Sequence, residues 1–332
     1  MSIQDEFEFI QNIRPTKKYR KNLVVGIGDD AAVISPAENY EQVICIDTMV
    51  EGIHFTRSTM SPFDIGYKSV AINLSDIAAM GAIPKYYLVS ISIPQSWSQN
   101  ELYELYEGMN EIANEFRLDL IGGDTVSSKH QLVVTVTVIG EVEKGKAVLR
   151  SQAKPGDVVF VTGTLGDSAA GLHLLLHQEK NSITKDDYQF LAFRHQRPSP
   201  RVKVGREVSK LERASLNDIS DGIASELNEI AEASNVSILI HHHLLPLSGS
   251  LQKFQHEFMY DWVLFGGEDF ELVGTTSQES FEVLKQACEK EGIQITQIGE
   301  VLHSENVGVM INVNGKHEVL QKRGYNHFKK GD

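Results

Sequence analysis

Cysteine is nearly absent from this chain, with Cys45 and Cys288 the two in 332 residues. One lies in an apolar strand-like stretch and the other in a helical one, so no disulfide framework or thiolate metal site is expected. Basic charge is also scarce. Against 45 acidic residues stand 31 Lys and Arg, a net charge of −14, and no basic stripe is long enough to displace counterions from nucleic acid. Long hydrophobic runs are missing too. Nothing approaches the roughly 18 apolar residues of a membrane span, and no basic-then-apolar leader opens the chain, so a cytoplasmic protein without a membrane partner is expected. A complete P-loop is lacking as well: Gly140, Gly145 and Lys146 match its first part, but Ala147 replaces the required hydroxyl. An acidic protein without these devices needs divalent cations between itself and any phosphate it handles.

What is present is an ordinary globular composition, 41% hydrophobic and 23% charged, in a chain long enough for two domains with cores of their own. Its centre is Val70 to Gly81, apolar nearly all round a helical wheel, the pattern of a helix enclosed by protein. Asn73 and Asp76 interrupt it three residues apart, on one helical face. A buried carboxylate costs several kcal/mol unless a cation or several donors meet it, which makes Asp76 a candidate metal ligand. The plain alternative is an Asp bonded to a neighbouring turn.

Other acidic residues fall at strand ends or in glycine-rich turns. Leu23–Val25 runs into Gly26-Ile27-Gly28-Asp29-Asp30, and a strand at Gln42–Ile46 ends at Asp47. Asp64 is expected to cap the long helix to Met80. A strand at Tyr86–Ile93, an amphipathic helix at Glu101–Phe116 and a short strand at Asp119–Ile121 lead to Gly122-Gly123-Asp124-Thr125. After an alternating strand at Leu132–Ile139 the pattern stops, placing a domain boundary near residue 150. Beyond it come a strand at Val158–Val161, a small-residue turn opening a helix to about His177, and a basic, proline-punctuated loop at Arg194–Pro200. Asn217-Asp218-Ile219-Ser220-Asp221-Gly222 precedes a helix at Ile223–Ala233, whose N-terminal dipole favours anions. Gly266-Gly267-Glu268-Asp269 enters another strand, and a hairpin turns at Asn314-Gly315. His241-His242-His243 alternates faces on a strand, which argues against chelation. The Gly26-Ile27-Gly28 pattern is not a dinucleotide fingerprint. Pro36 and Asn39 leave no room for a crossover helix, and Asp29 and Asp30 would repel a pyrophosphate.

Scattered carboxylates without cysteine or paired histidines suit hard ions with oxygen ligands, above all Mg²⁺ carrying nucleotide phosphates. The ordered set GIGDDAAV, DTMVEGIHF, NLSDIAAMGA, GGDT, VTGTLGDSAAGL, DISDG, GGEDFEL and GYNHF resembles the thiamine-monophosphate kinase family over nearly the whole chain. No single motif decides it; eight in order do.

The resemblance implies an α/β (α+β) protein with the two-domain aminoimidazole-ribonucleotide-synthetase-like fold. An N-terminal domain at 1–150 would bind ATP and Mg²⁺ and pair its mixed sheet in a homodimer. A C-terminal α/β sandwich at 151–332 would complete the nucleotide and substrate site. The implied reaction transfers the γ-phosphoryl group of ATP to thiamine monophosphate, giving thiamine diphosphate, the last step of that cofactor's biosynthesis. By position, Asp30, Asp47, Asp76, Asp124, Asp218 and Asp221 would ligate several Mg²⁺ ions. Gly123, Asp124, Arg150 and Ser220 would contact ATP, and His54, Glu268 and Tyr325 would hold the substrate. K⁺ is a further candidate cofactor. No residue reads as a general base, and none is needed, because a phosphate oxygen with a pKa of about 6 is largely deprotonated at neutral pH. Ile46 stands where relatives often carry Ser or Thr, and Asn326 where Asp is commoner. Rival readings are another synthetase of the superfamily, whose reactive or terminal cysteines are missing here, and a non-catalytic nucleotide or cation module.

Overall fold

The computed structural model describes residues 12–15, 17–25, 32–177, 183–254, 256–303 and 306–324. The expected helix from Glu6, the turn with Asp29 and Asp30, and the terminal Tyr325–Phe328 lie outside the described residues. The chain divides into two compact units, residues 1–77 with 82–145 and residues 78–81 with 146–332.

The first unit is built on four strands in the order β3-β6-β4-β5: β3 (Tyr40–Val50), β4 (Ile83–Pro94), β5 (Asp119–Ser128) and β6 (Val133–Glu143). β6 is antiparallel to both neighbours, while β4 and β5 are parallel, as a strand–helix–strand crossover requires. The crossover helix is α2 (Gln99–Phe116), started by a Ser98–Glu101 capping box and stopped by Arg117 in the left-handed region. Its partner is α1 (Pro62–Ala79). Gly66 and Gly108 let these two helices touch. A Cβ on the first would sit 1.8 Å from the Leu105 carbonyl oxygen, and one on the second 1.9 Å from that of Phe63. Asp64 is not the N-cap of α1. Ser61 holds that place, its Oγ accepting from Asp64 N–H while the Asp64 carboxylate accepts from Ser61 N–H and Oγ–H. β1 (Leu23–Val25) and β2 (Val33–Ile34) pair antiparallel before β3, and β2 stands where the glycine pattern would have needed a crossover helix.

The second unit has seven strands: β7 (Val158–Thr162), β8 (Ala214–Asp218), β9 (Ser237–His241), β10 (Leu272–Thr276), β11 (Ile295–Leu302), β12 (Gly308–Val313) and β13 (Lys316–Val319). Their order is β13-β12-β9-β11-β7-β10-β8, antiparallel except for β12 beside β9. Every residue of β7 and β10 is buried, so both faces are covered. Val159 and Val161 join the core of α3 (Asp167–His177) and α6 (Ile223–Ser234). Phe160 points the other way, its ring 6.1 Å from that of Phe281 on α9 (Gln278–Lys290). Between α3 and α6 in sequence lie α4 (Lys185–Gln196) and α5 (Val202–Val208), and after β9 come α7 (Gly249–Phe254) and α8 (Met259–Phe265). Two expectations change here. Arg194 and His195 belong to the last turn of α4 rather than to a loop, and Gly122–Thr125 lies inside β5 rather than after it.

Candidate functional site

Alternation along β3 sorts its side chains. Ile44 and Ile46 are 62% and 64% exposed, whereas Met49 is buried and Cys45 and Asp47 are half-buried. The second set faces α1: Cys45 Sγ–H donates to the Asn73 carbonyl at 3.3 Å, and the Asp47 carboxyl is hydrogen-bonded to that of Asp76. Burial pushes Asp47 above the usual carboxylate range, with the Asp76 contact pulling the other way. Burial, then the charges of Asp76 and Asp47, push the Cys45 thiol up as well, so it acts as a hydrogen-bond donor and not as a thiolate. Asn73 is fully buried and gives its Nδ2–H to Ser69, but its Oδ1 has no partner among the described residues. The paired carboxyls of Asp47 and Asp76 make an oxygen-only site in which the partner of Asp47 is a carboxyl and not a cation, the chemistry a Mg²⁺ ion fits, and the orphaned Asn73 amide oxygen lies three residues from Asp76 on the same helix.

Asp124 and Gly123 sit on the opposite edge strand. Pairing across the sheet places Asp47 in a row with Val136, Val89 and Gly123, and Thr48 in the next row with Thr135, Ser90 and Asp124. Val136 and Val89 are buried, so the Asp124 side chain shares the face of Ile46 and Thr48, away from Asp47. A side chain at Gly123 would bring its Cβ to 2.0 Å from the Val89 carbonyl oxygen, which fixes glycine there. His54 closes the turn after β3. Its Nδ1 accepts from Val50 N–H at 3.0 Å, which leaves the ring proton on Nε2 as a donor.

In the second unit β8 ends in Asp218 and the chain turns through Ser220, Asp221 and Gly222 into α6. Glu226, in the first turn of that helix, accepts from Asp221 N–H at 3.2 Å and Ser220 Oγ–H at 3.4 Å and meets Asn217 Nδ2. Burial first, then the charges of Asp218 and Glu229, push its carboxyl up to about 8. Arg150 joins this cluster through Asn217 Oδ1 and Glu229, each at 3.0 Å. Arg150, Asp218, Ser220 and Asp221 are thus brought together, with Glu226 and Asn217 as members that their sequence does not announce. An acidic residue in the first turn after an Asp-Gly pair was the available signal.

Glu268 stands beside the same turn. Its N–H donates to the Ser220 carbonyl at 2.7 Å, and its φ of 67° is left-handed, a conformation of order 1–3 kcal/mol above the ordinary one for a residue with a side chain. A Cβ on Gly324 would come within 2.1 Å of the Asp221 carbonyl oxygen, so the segment entering Tyr325 passes against this turn. Three residues on from Glu268, Glu271 is wholly buried and accepts from Arg194 at 2.8 Å, Arg201 at 2.6 Å through two nitrogens, and Thr162 at 2.7 Å. Burial would raise its carboxyl, but Arg201 and Arg194 bring it below the ordinary value. Asp30 and Tyr325 lie outside the described residues. Among those described, no three His, Cys, Asp or Glu side chains are already grouped as a metal cage, and no helix is long and apolar enough to cross a membrane.

Two family descriptions match in order: AIR synthase related protein, N-terminal domain, over residues 28–142, and AIR synthase related protein, C-terminal domain, over residues 154–312. The thiamine-monophosphate kinase of Bacillus subtilis (strain 168) is 54% identical over 327 residues, covering 98% of this chain and 100% of that protein. The crystal structure of thiamine-monophosphate kinase from Stenotrophomonas maltophilia K279a superposes with a TM-score of 0.85 at 35% identity, over 96% of this chain and 99% of that one. The structure named "AaThiL complexed with AMPPCP and TMP" does so with a TM-score of 0.77 at 31% identity, over 99% of both chains.

Proposed function

This chain belongs to the thiamine-monophosphate kinase family, and from that premise we infer that it transfers the γ-phosphoryl group of ATP to thiamine monophosphate, giving thiamine diphosphate and ADP. Full-length likeness to a relative at 54% identity carries this reading, and a relative captured with AMPPCP and TMP agrees with it. An oxygen of the substrate's phosphate attacks the γ-phosphorus, the bond to the bridging oxygen breaks, and ADP leaves. Catalysis then rests on alignment and charge neutralisation rather than on a base.

Asp47 and Asp76 would hold Mg²⁺ in the first unit, and Asp218 and Asp221 in the second. Asp30 is assigned to the same task by position. Bound divalent cations supply positive charge to the phosphate oxyanions that meet in the transfer. Arg150 and Ser220 contact the nucleotide, Arg150 from a position where Glu229 and Asn217 fix its guanidinium. His54 offers Nε2–H to a phosphate oxygen. Glu268 offers a carboxylate to the cationic substrate, and Tyr325 a ring to stack on it.

Asp124 has a different place. It lies on the sheet face that leaves Ile44 and Ile46 open, and that face is the seat of a second copy in a homodimer, where Gly123 and Asp124 of one subunit serve the nucleotide of the other. Inactive Asp47→Asn and Asp124→Asn chains should recover part of their activity when mixed and allowed to exchange subunits. No recovery would return Asp124 to its own subunit. The assay for the whole reading is purified protein with ATP, Mg²⁺ and thiamine monophosphate, free thiamine as control, and K⁺ exchanged for Na⁺ in a parallel run. ATP binding without turnover would favour a non-catalytic module. Tyr325→Ala should raise the KM for thiamine monophosphate more than that for ATP. The chemistry fits a cytoplasmic enzyme, where its nucleotide is made and used.

A further inference from the structure

One buried imidazole of the second unit has no part in the chemistry above. His195, in the last turn of α4, is 1% exposed, and its Nδ1 lies 3.3 Å from Glu268 Oε2 and 3.1 Å from Ser168 Oγ. An ionised carboxylate only accepts, so the contact requires the proton on Nδ1, with the Ser168 hydroxyl sharing it.

The loop around Glu268 is held at several points. Its own N–H is held by Ser220 and that of Phe270 by Ile219. Asp269 accepts from the N–H groups of Gly166 and Ser168 at 2.7 and 3.1 Å, at the start of α3. Glu271 is gripped by Arg194 and Arg201. Glu268 differs from these neighbours in keeping 28% of its side chain exposed. Two successive residues of α4 therefore divide the work on this loop: Arg194 takes its buried end and His195 its exposed carboxylate.

We propose that His195 is a positioning residue for substrate recognition, aiming the Glu268 carboxylate outward through Nδ1–H so that it meets the cationic thiamine moiety in one orientation. The proposal rests on the reading above that Glu268 contacts the substrate. A hydrogen bond to a charged group is worth enough that losing it should raise KM for thiamine monophosphate roughly tenfold, while KM for ATP and kcat stay within about twofold.

His195→Gln tests this, because its amide reaches the place of Nε2 and leaves that of Nδ1 empty, whereas His195→Asn puts an N–H where Nδ1 stands. The Gln variant should show the rise and the Asn variant should restore near-native KM, with thermal midpoints recorded for both. His195→Gln combined with Glu268→Ala should be no worse than Glu268→Ala alone. An equal rise in both backgrounds would mean that His195 acts elsewhere, and the proposal falls. It also falls if Gln and Asn behave alike. Should Glu268→Ala leave KM for thiamine monophosphate unchanged, the assignment of Glu268 fails and the proposal with it. A Glu268→Ala defect without a His195→Gln defect overturns the proposal alone.

Discussion

Glu271 and Glu226 are both buried glutamates of the second unit, yet burial has opposite outcomes for them. Around Glu271 the chain supplies its own cations, two arginines and a hydroxyl, and the carboxyl sits below its ordinary value. Around Glu226 the nearest charges are other carboxylates, and the value climbs to about 8. In the first unit burial likewise raises Asp47, whose partner is another carboxyl, that of Asp76, and not a cation. The protein thus completes some buried acids internally and leaves others short of positive charge. The latter fall where the family's metal ligands are expected.

Removing Glu271 should cost most. Glu271→Gln leaves Arg194 and Arg201 without their carboxylate, and breaking such a buried pair destabilises by about 3–5 kcal/mol, readable as a fall in the denaturant midpoint. Asp76→Asn should do the reverse, lowering turnover by roughly 10²- to 10³-fold while leaving the thermal midpoint of the cation-free protein unchanged or higher. A drop in that midpoint would show that Asp76 is structurally completed like Glu271, erasing the contrast.

The Glu226 effect follows pH. In the folded chain Glu226 keeps a proton that the unfolded chain loses above its ordinary value of 4.5. Stability without divalent cations should therefore decline as pH rises from about 4.5 to about 8 and level off beyond, by on the order of a few kcal/mol. Glu226→Gln should flatten that stretch of the curve, and an unchanged slope would remove Glu226 as its source. Smallest is Ser61→Ala, which takes the N-cap from α1 and should cost about 1 kcal/mol without moving either KM.

Much of the fold was legible because local chemistry agreed with global packing. The apolar wheel around Asp76 marked α1, alternation marked β3 and β6, and Asn314-Gly315 marked the last hairpin, whose two residues have φ of 52° and 85°. Arg194–Pro200 misled because its charge and prolines suggest a solvated loop, while the partner that draws Arg194 into the core, Glu271, is distant in sequence. Gly122–Thr125 misled because glycine argues against a strand interior, whereas the close approach of Val89 to Gly123 requires it. Helix α8 and strand β11 are short or weakly patterned and found their places by packing on the core.

From the amino-acid order alone came the family, together with the expectation of two domains and of acids suited to a hard cation, since these depend on residue types and spacing. Tertiary structure decided which of those acids touch. Asp47 meets Asp76 because strand alternation turns it toward α1, Asp124 faces away because it stands one row over, and Glu226 and His195 enter the account because long-range contacts bury them beside Asp218 and Glu268. Whether a buried charge is satisfied depends on neighbours that linear order does not specify.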